Sequence, residues 1–363
     1  MPGDQGERPT IADVARLASV SIGTASKAVN GKGRLRPETR DRVLAAAREL
    51  DYQPDALARS LRTQRTYTVG LITSDSFGRF SIPVMLGLED TLGADRISVY
   101  LCDARGDPVR ERYYVDSLLS RRVDGIVVAG RRADPRPPIS RHELPVPVVY
   151  AMTQSMAAAD ISLVPDDEHG GRLAGEHLLA LGRRRIAHVT GPVRFAAVRR
   201  RAAGLRGALA AAGIELREEE VLSGPWSEAW GRDAVAPLLS RAPELDAIFC
   251  GSDQIARGVA DALRERGMRI PGDVALVGFD NWDVMALGAR PPLTSVDMNL
   301  DGLGRAAGEE LLSMLDGERR SGVLRLPCEL VVRASTVAEG TEAETPPSPP
   351  EGEGRGGGET RRE

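Results

Sequence analysis

The sequence predicts an α/β protein: an all-α helix-turn-helix head with a further short helix behind it, then a body built on two doubly wound parallel sheets. Three observations lead there. The 363 residues exceed what one ordinary hydrophobic core organises, so two or three domains are expected. At Thr68 the rhythm changes from short capped helices to strand-like apolar runs alternating with amphipathic helices. Charge divides at the same place, because residues 1–65 hold 12 Lys and Arg against 8 Asp and Glu, while the remainder holds 36 against 44. A small basic head on an acidic body is the asymmetry of a nucleic-acid-binding module joined to something else.

Residues 1–8 are polar and are expected to form a disordered arm ahead of a head spanning 9–53. Thr10 can cap the first helix, since T-I-A-D places a hydroxyl at the N-cap and a carboxylate three residues on. Ile11, Val14, Ala15 and Ala18 make its apolar stripe. After a tight turn, Ser21 caps a second helix that runs to about Asn30. Ala25, Ala28 and Val29 face inward there, and Ile22, Gly23, Ser26 and Lys27 face out. Gly31 and Gly33 end it, and Pro37 opens a third helix that buries Val43, Leu44, Ala47 and Leu50 and stops near Asp51 and Tyr52. Pro54 and Asp55 then cap a very short fourth helix from Ala56 to about Arg62, within a linker spanning 54–66.

The body, 67–337, carries apolar strand runs at 69–72, 97–101, 125–128, 146–150, 186–190, 247–250 and 274–279. Helical patterns separate most of them, as at 172–181, closed by Gly182. Near-continuous β-branched runs between amphipathic helices imply parallel sheets covered on both faces. Seven such strands over this length fit two doubly wound domains better than one. Residues 338–363 are Glu, Gly, Pro, Ser, Thr and Arg without apolar periodicity and are expected to be a disordered tail; it has no leucine heptads that would add an oligomerisation coil.

Composition excludes several classes. The chain is 42% apolar and 28% charged with a net charge of −4, so nothing biases it as a whole toward nucleic acid or membrane. Cys102, Cys250 and Cys328 show neither pairing nor metal spacing, which fits buried thiols in a reducing compartment. His142, His169, His177 and His188 form no ligand motif; His177 and His188 read as packing residues, and no metal or other cofactor is expected. The N-terminus lacks an apolar signal region, and no run approaches the ~18 apolar residues of a membrane span. A cytoplasmic protein is expected, with no membrane partner. No G-x-G-x-x-G follows a strand, and no Ser/His/Asp or paired-carboxylate constellation is placed to act. The chain is therefore expected to have no catalytic residues and not to be an enzyme. Only Lys27 and Lys32 among 48 basic residues are lysines; GC-rich coding explains the ratio, yet both fall in the head.

A helix entering the major groove needs phosphate-binding groups at its start, here the Ser21 and Thr24 hydroxyls and free backbone N–H groups. It also needs side chains that reach base edges, here Ile22, Gly23 and Lys27. Taken alone these features also suit any small three-helix head with capped, basic helices. The motifs narrow the choice. T-I-A-D-V-A-R-L-A-S-V-S-I-G-T-A-S-K-A-V-N, followed by P-E-T-R-D-R-V and L-D-Y-Q-P-D-A-L-A-R-S-L, resembles the N-terminal region of the lactose-repressor (LacI/GalR) family. D-D-E-H-G-G-R-L-A-G-E-H-L-L-A-L-G-R-R-R-I-A-H-V-T-G-P, R-A-A-G-L-R-G-A-L, V-G-F-D-N and P-P-L-T-S-V-D resemble its effector domain, so the likeness spans roughly residues 9–337.

The resemblance implies a homodimeric transcriptional repressor whose heads each read half of a near-palindromic operator. Ser21, Thr24, Ser26 and Asn30 match the phosphate-contacting and capping positions of the recognition helix, and Thr10 and Thr39 match other backbone contacts. Ile22, Gly23 and Lys27 match the positions that vary among base readers. With no side chain at Gly23, Lys27 would carry most direct hydrogen bonding and Ile22 would meet a thymine methyl. Ser19 stands where the family commonly has Gly, which implies a left-handed Ser. Residues 54–61 match the hinge helix that folds on DNA: Leu61 as the minor-groove wedge, Ala58 against the groove, Arg59 toward phosphate.

The body would then resemble a type I periplasmic sugar-binding protein of two lobes, about 67–164 with 293–325 and about 165–292 with 326–337. Ser74, Phe77, Phe80, Arg201, Trp226, Ser252 and Asp280 match effector-binding positions, with Arg201 and Asp280 as charge-assisted partners for ligand hydroxyls. Two departures bear on the ligand: Met152 stands where many sugar-responsive members carry Asp, and Ser252 stands at a commonly amide position. The expected effector is a small molecule, a monosaccharide or its derivative, whose binding releases DNA. The alternative is a co-repressor mode, in which a purine-like ligand or partner protein strengthens DNA binding. A sugar-binding transport protein shares such a body but not the head.

Overall fold

Three short helices begin the structure, a computed structural model that describes residues 9–29, 33–52, 65–94 and 97–337. The expectations for the arm 1–8, for Asn30 and Lys32, for the hinge residues Ala58, Arg59 and Leu61, and for the tail 338–363 lie outside the described residues. In the head, α1 (Ile11–Leu17), α2 (Ile22–Val29) and α3 (Pro37–Glu49) enclose a small core of Val14, Ala15, Ala18, Ala25, Ala28, Val43, Ala46 and Ala47. Ala46 replaces Leu44 in the expected inward set, and Leu44 is half-buried. Alanines dominate this core because helices of two to three turns must approach closely to exclude water.

Two of the head helices, α1 and α3, end alike. At the end of α1, Ser19 N–H donates to Arg16 O (3.2 Å) and Val20 N–H to Ala15 O (2.9 Å), with Ser19 at φ 51°. After α3, Asp51 N–H donates to Arg48 O and Tyr52 N–H to Ala47 O, with Asp51 at φ 48°. Both are Schellman closures, in which one left-handed residue lets the chain turn back and satisfy the last carbonyls.

The remaining elements follow in chain order. First come β1 (Thr68–Thr73), α4 (Ser81–Ala94), β2 (Ser98–Asp103), α5 (Pro108–Ser120), β3 (Gly125–Ala129), β4 (Pro135–Arg136), β5 (Val148–Ala151), β6 (Gln154–Ser155) and β7 (Ile161–Pro165). Then come α6 (Asp167–Ala180), β8 (Ile186–Thr190), α7 (Ala196–Ala211), β9 (Val221–Ser223), α8 (Glu228–Arg241), β10 (Ala247–Cys250), α9 (Asp253–Glu265) and β11 (Ala275–Phe279). Last are α10 (Asp283–Ala286), β12 (Thr294–Asp297), α11 (Leu300–Leu315), β13 (Gly322–Leu326) and β14 (Glu329–Val331).

These elements form two compact units, Met1–Asp167 with Met298–Cys328, and Glu168–Asp297 with Glu329–Glu363. The first unit's sheet has the order β13-β7-β5-β3-β1-β2 and is wholly parallel. The second has the order β14-β12-β11-β10-β8-β9 and is parallel except for β14 against β12. Strand β12 corrects the expected lobe boundary near 293. It pairs with β11 and β14, so the chain leaves the second unit at Met298. The hydroxyls of Thr294 and Ser295 are buried in it and bonded, which is why an apolar pattern does not reveal the strand.

In each unit helices cover the sheet through backbone contact. A Cβ on Gly87 would collide with the Asp301 carbonyl, and one on Gly304 with the Val84 carbonyl, so α4 and α11 cross glycine to glycine. Gly171 meets the Arg201 carbonyl and Gly204 the Glu168 carbonyl where α6 crosses α7. Gly231 meets the Ile255 carbonyl and Gly258 the Glu228 carbonyl where α8 crosses α9. Gly204→Ala should therefore destabilise the protein by about 1–3 kcal/mol, since backbone must move. Gly207→Ala, on the same helix with open space around it, should instead gain roughly 0.5–1 kcal/mol from helix propensity. Urea midpoints of the two variants measure the contrast; equal shifts would show that the crossing is not a close one.

Candidate functional site

The head is arranged to present α2. Ser21 Oγ accepts the Thr24 N–H at 3.1 Å and lies 2.9 Å from Thr24 Oγ1, so this pair caps the helix whose first turn would meet phosphate. Ser26 and Thr39 are half-buried. Thr10 donates both its N–H (2.9 Å) and its hydroxyl (2.7 Å) to Asp13 Oδ2, and these bonds hold the Asp13 carboxyl below the usual carboxylate range. Ile22 and Lys27 are exposed, and a Cβ on Gly23 would meet Ser21 Oγ at 3.9 Å and nothing closer. The Lys27 stem lies along Gly33, 3.4 Å from where a Cβ would stand, and Gly33 has φ 80°. Two residues escaped the sequence pattern: Leu17, exposed on α1, and Arg42, whose Nε bonds the Ala18 carbonyl at 2.9 Å and ties α3 to the turn before α2.

In the second unit the strand order reverses between β8 and β10. Ligands of open α/β sheets bind outside the carboxyl ends of the strands at such a switch point. Four of the expected effector residues belong to this unit, Arg201 within α7 and Trp226, Ser252 and Asp280 after β9, β10 and β11. The Arg201 Nη1 donates to the Gly251 carbonyl at 2.6 Å, just beyond β10. Its guanidinium carbon lies 3.5 Å from the centre of the Phe279 ring and Nη1 stands 3.7 Å from Asp280 Oδ1, with both charged side chains buried. Ser252 is buried and accepts the Ile255 N–H at 3.3 Å, capping α9. Trp226 is half-buried against Gly191, where a Cβ would overlap its ring. Arg201, Asp280 and Ser252 thus gather around the ends of β10 and β11, and Trp226 stands at the end of β8.

The other three expected residues belong to the first unit, after β1, at the point where its strand order also reverses. Ser74 is half-buried. Asp75 accepts the N–H groups of Phe80 (2.7 Å) and Ser81 (3.0 Å), and the loop turns at Gly78, φ 73°. Arg79 covers the Phe80 ring at 4.9 Å, while Phe77 is 97% exposed. Met152 is buried with φ 56°, so the position that departs from the polar pattern faces inward.

Residues 10–55 match the family described as bacterial regulatory proteins, lacI family, and residues 176–336 match a periplasmic binding protein-like domain. The transcriptional regulator CelR of Thermobifida fusca is 36% identical over 92% of this chain and 99% of its own length. Catabolite control protein A of Priestia megaterium is 32% identical over 90% and 99%. The chain belongs to the LacI family. Among solved structures, a CelR–cellobiose complex aligns with a TM-score of 0.60 at 32% identity, covering 90% of this chain and all of that one. A lac repressor dimer bound to operator and an anti-inducer aligns at 0.68 and 27%, covering 92% and 100%.

Members of the LacI family are transcriptional regulators, and no helix among the described residues is long and apolar enough to cross a membrane. Beneath the Arg201–Asp280 pair lies a polar layer that apolar periodicity could not reveal. His188 and Thr190 share one face of β8, and both are fully buried. The His188 ring stacks on Phe249 at 4.8 Å and its Nδ1 lies 2.9 Å from the Phe249 carbonyl. A carbonyl only accepts, so Nδ1 carries the proton, and Nε2 is left buried without a partner among the described residues. Burial above all, with Arg201 and Arg206 nearby, presses the imidazole down to about 4.

The unfolded chain takes up a proton here as pH falls through 6.5, while the folded chain resists until about 4. Stability from this residue is therefore complete above 6.5 and lost across that window, amounting to roughly 3 kcal/mol. Urea midpoints measured from pH 7.5 to 4.5 should fall more steeply for the wild type than for His188→Leu. Parallel slopes would place the titration elsewhere.

Proposed function

We propose that the chain is a homodimeric, ligand-responsive repressor of transcription, cytoplasmic and without enzymatic activity. Each head reads half of an operator, and a small carbohydrate taken up by the body releases the DNA. The observation that carries the DNA half is α2, capped by Ser21 and Thr24 and presenting Ile22 and Lys27 to solvent. For the effector half it is the buried Arg201–Asp280 pair at the switch point of the second sheet. One guanidinium face is covered by Phe279 and its charge is met by Asp280, so the pair suits an uncharged polyol better than an anion. Ser74, Phe77, Phe80, Trp226 and Ser252 are assigned as further effector contacts, with Phe77 and Trp226 offering ring faces. One solved structure similar to this chain is a CelR–cellobiose complex, which makes cellobiose the first ligand to try.

The switch is a coupling free energy between DNA and effector, typically 1–3 kcal/mol. Residues 54–62 suit it, because so few residues do not sustain a helix alone and would depend on DNA and on the second protomer. Met152, standing where many sugar-responsive members carry Asp, favours a second reading, in which a less hydroxylated, purine-like ligand or a partner protein strengthens DNA binding. The sign of the ligand's effect in a mobility-shift assay separates the two, and no change with any sugar or purine would remove both ligands.

Lys27→Ala should relax discrimination by about 1–3 kcal/mol at one base pair, read on sequences selected from random DNA by the wild type. Lys32→Ala should weaken binding uniformly across sequences. Equal loss of discrimination from both would displace α2 as the reading helix. Asp280→Asn should weaken cellobiose binding by roughly 10–100-fold, since a charge-assisted bond becomes a neutral one, and leave ligand-free DNA affinity unchanged. Isothermal titration and a mobility shift measure the two quantities separately.

A further inference from the structure

We propose that Asp253 is a positioning residue for Asp280: its buried carboxylate holds the turn that sets the Asp280 side chain beside Arg201. Asp253 is the first residue of α9 and is fully buried. Its Oδ2 accepts the Trp282 N–H at 2.7 Å, and its Oδ1 accepts the Ser295 hydroxyl at 2.6 Å. Ser295 Oγ in turn accepts the Asn281 N–H at 3.0 Å, and the Asp280 N–H donates to the Val296 carbonyl at 2.8 Å. Three successive amides of the turn are thus fixed, two of them through Asp253, directly or by way of Ser295.

The turn needs fixing. Asp280 has φ 102° and Asn281 φ 49°, two consecutive non-glycine residues in the left-handed half of backbone space. Such conformations persist only where the surroundings over-determine them. Side chains farther out complete the clamp: Asn281 Nδ2 donates to Asp297 Oδ2 at 2.8 Å, and Arg333 Nη2 donates to Asn281 Oδ1 at 2.8 Å. The sequence also clears room for the carboxylate. A Cβ on Gly278 would overlap Asp253 Oδ1, so the glycine before Phe279 is there for Asp253.

A carboxylate suits this position because it accepts at both oxygens and donates at neither, matching an N–H and an O–H that arrive together. An asparagine of the same shape turns one acceptor into a donor, which either faces the Trp282 N–H or forces the Ser295 hydroxyl to turn its proton away from its buried acceptor. The turn would then relax toward ordinary backbone, and the Asp280 carboxylate would leave its place 3.7 Å from Arg201. This assignment rests on the reading that Asp280 meets the effector.

Two measurements on the full-length protein test it. Hydrogen exchange read by mass spectrometry should show the amides of Asn281 and Trp282 exchanging at least ~10-fold faster in Asp253→Asn and in Ser295→Ala, with β8 and β10 protected as in the wild type. Calorimetric titration with cellobiose should show ~10-fold weaker binding for Asp253→Asn, and no further weakening when Asp253→Asn is added to Asp280→Asn. A purely structural role would weaken binding equally in both backgrounds, and that result overturns the proposal. Unchanged protection of 281–282 in both single variants overturns it too. Should Asp253→Asn lose protection everywhere, Ser295→Ala decides, since it removes one acceptor and leaves the carboxylate. Failure of the wild type to bind cellobiose counts against the carbohydrate reading alone, and hydrogen exchange at 281–282 then decides the role of Asp253 by itself.

Discussion

Backbone touching backbone is the constraint on which the body depends. Three helix pairs, α4 with α11, α6 with α7, and α8 with α9, each cross where a glycine on either helix admits the carbonyl of the other. Larger residues at those six positions would push each pair apart, and helices spread apart no longer shield the strands beneath them. Parallel sheets tolerate no wet face, because their strands are apolar on both sides. Strands β1, β3, β8, β10 and β11 are buried along nearly their whole length for this reason. Close packing of this kind also fixes where the strands end, and it is at strand ends that the charged residues gather.

The second unit shows how a polar site is carried by an apolar scaffold. Its sheet has a largely apolar face under α8 and α9, broken by Asp253 and the Ser295 hydroxyl, and a mixed face under α6 and α7. On the mixed face a run of side chains leads from His188 through Phe249 and Phe279 to Arg201, ring on ring and then cation on ring. Aromatic faces accept a guanidinium without asking it to surrender hydrogen bonds, so Arg201 can be buried and still direct its N–H groups at Gly251 and Asp280. An arginine held by a ring on one side and a carboxylate on another has few orientations left, and a binding group with few orientations loses little entropy on taking a ligand.

Much of this was legible in the chain, and the boundary of legibility is physical. The head helices could be read because their signals are local: T-I-A-D for the first cap, Ser21 for the second, Pro37 for the third. Strands such as β3 and β8 announced themselves as apolar runs. β12 did not, since its buried hydroxyls are satisfied by Thr336 and Asp253 about 40 residues away in sequence. β13 did not either, because it is an exposed edge with Arg325 in it. For the site, the motif R-x-x-G and V-G-F-D-N marked Arg201 and Asp280, and the structure joins them. Asp253 was passed over, because its meaning lies in a turn at 280–282 and a serine at 295 that no spacing rule connects to it. The only local hint was a carboxylate set among apolar residues at a helix start.

Neither unit is a continuous stretch of chain, and that has a consequence for the order in which the protein can be made. The head needs only residues 11–52, whose contacts are local, and can fold while the ribosome is still early in the message. The first unit lacks α11 and β13 until residue 326 has emerged, and without α11 one partner of the α4 glycine crossing is missing. The second unit waits for β14 and for Ser335, which closes on the Leu276 carbonyl and the Thr294 amide. Both halves of the body are therefore completed within the last thirty or so described residues. A nascent chain could hold a finished DNA-reading head on an unfinished sensor, and an early stop codon between residues 53 and 326 would leave the head without either half of its control.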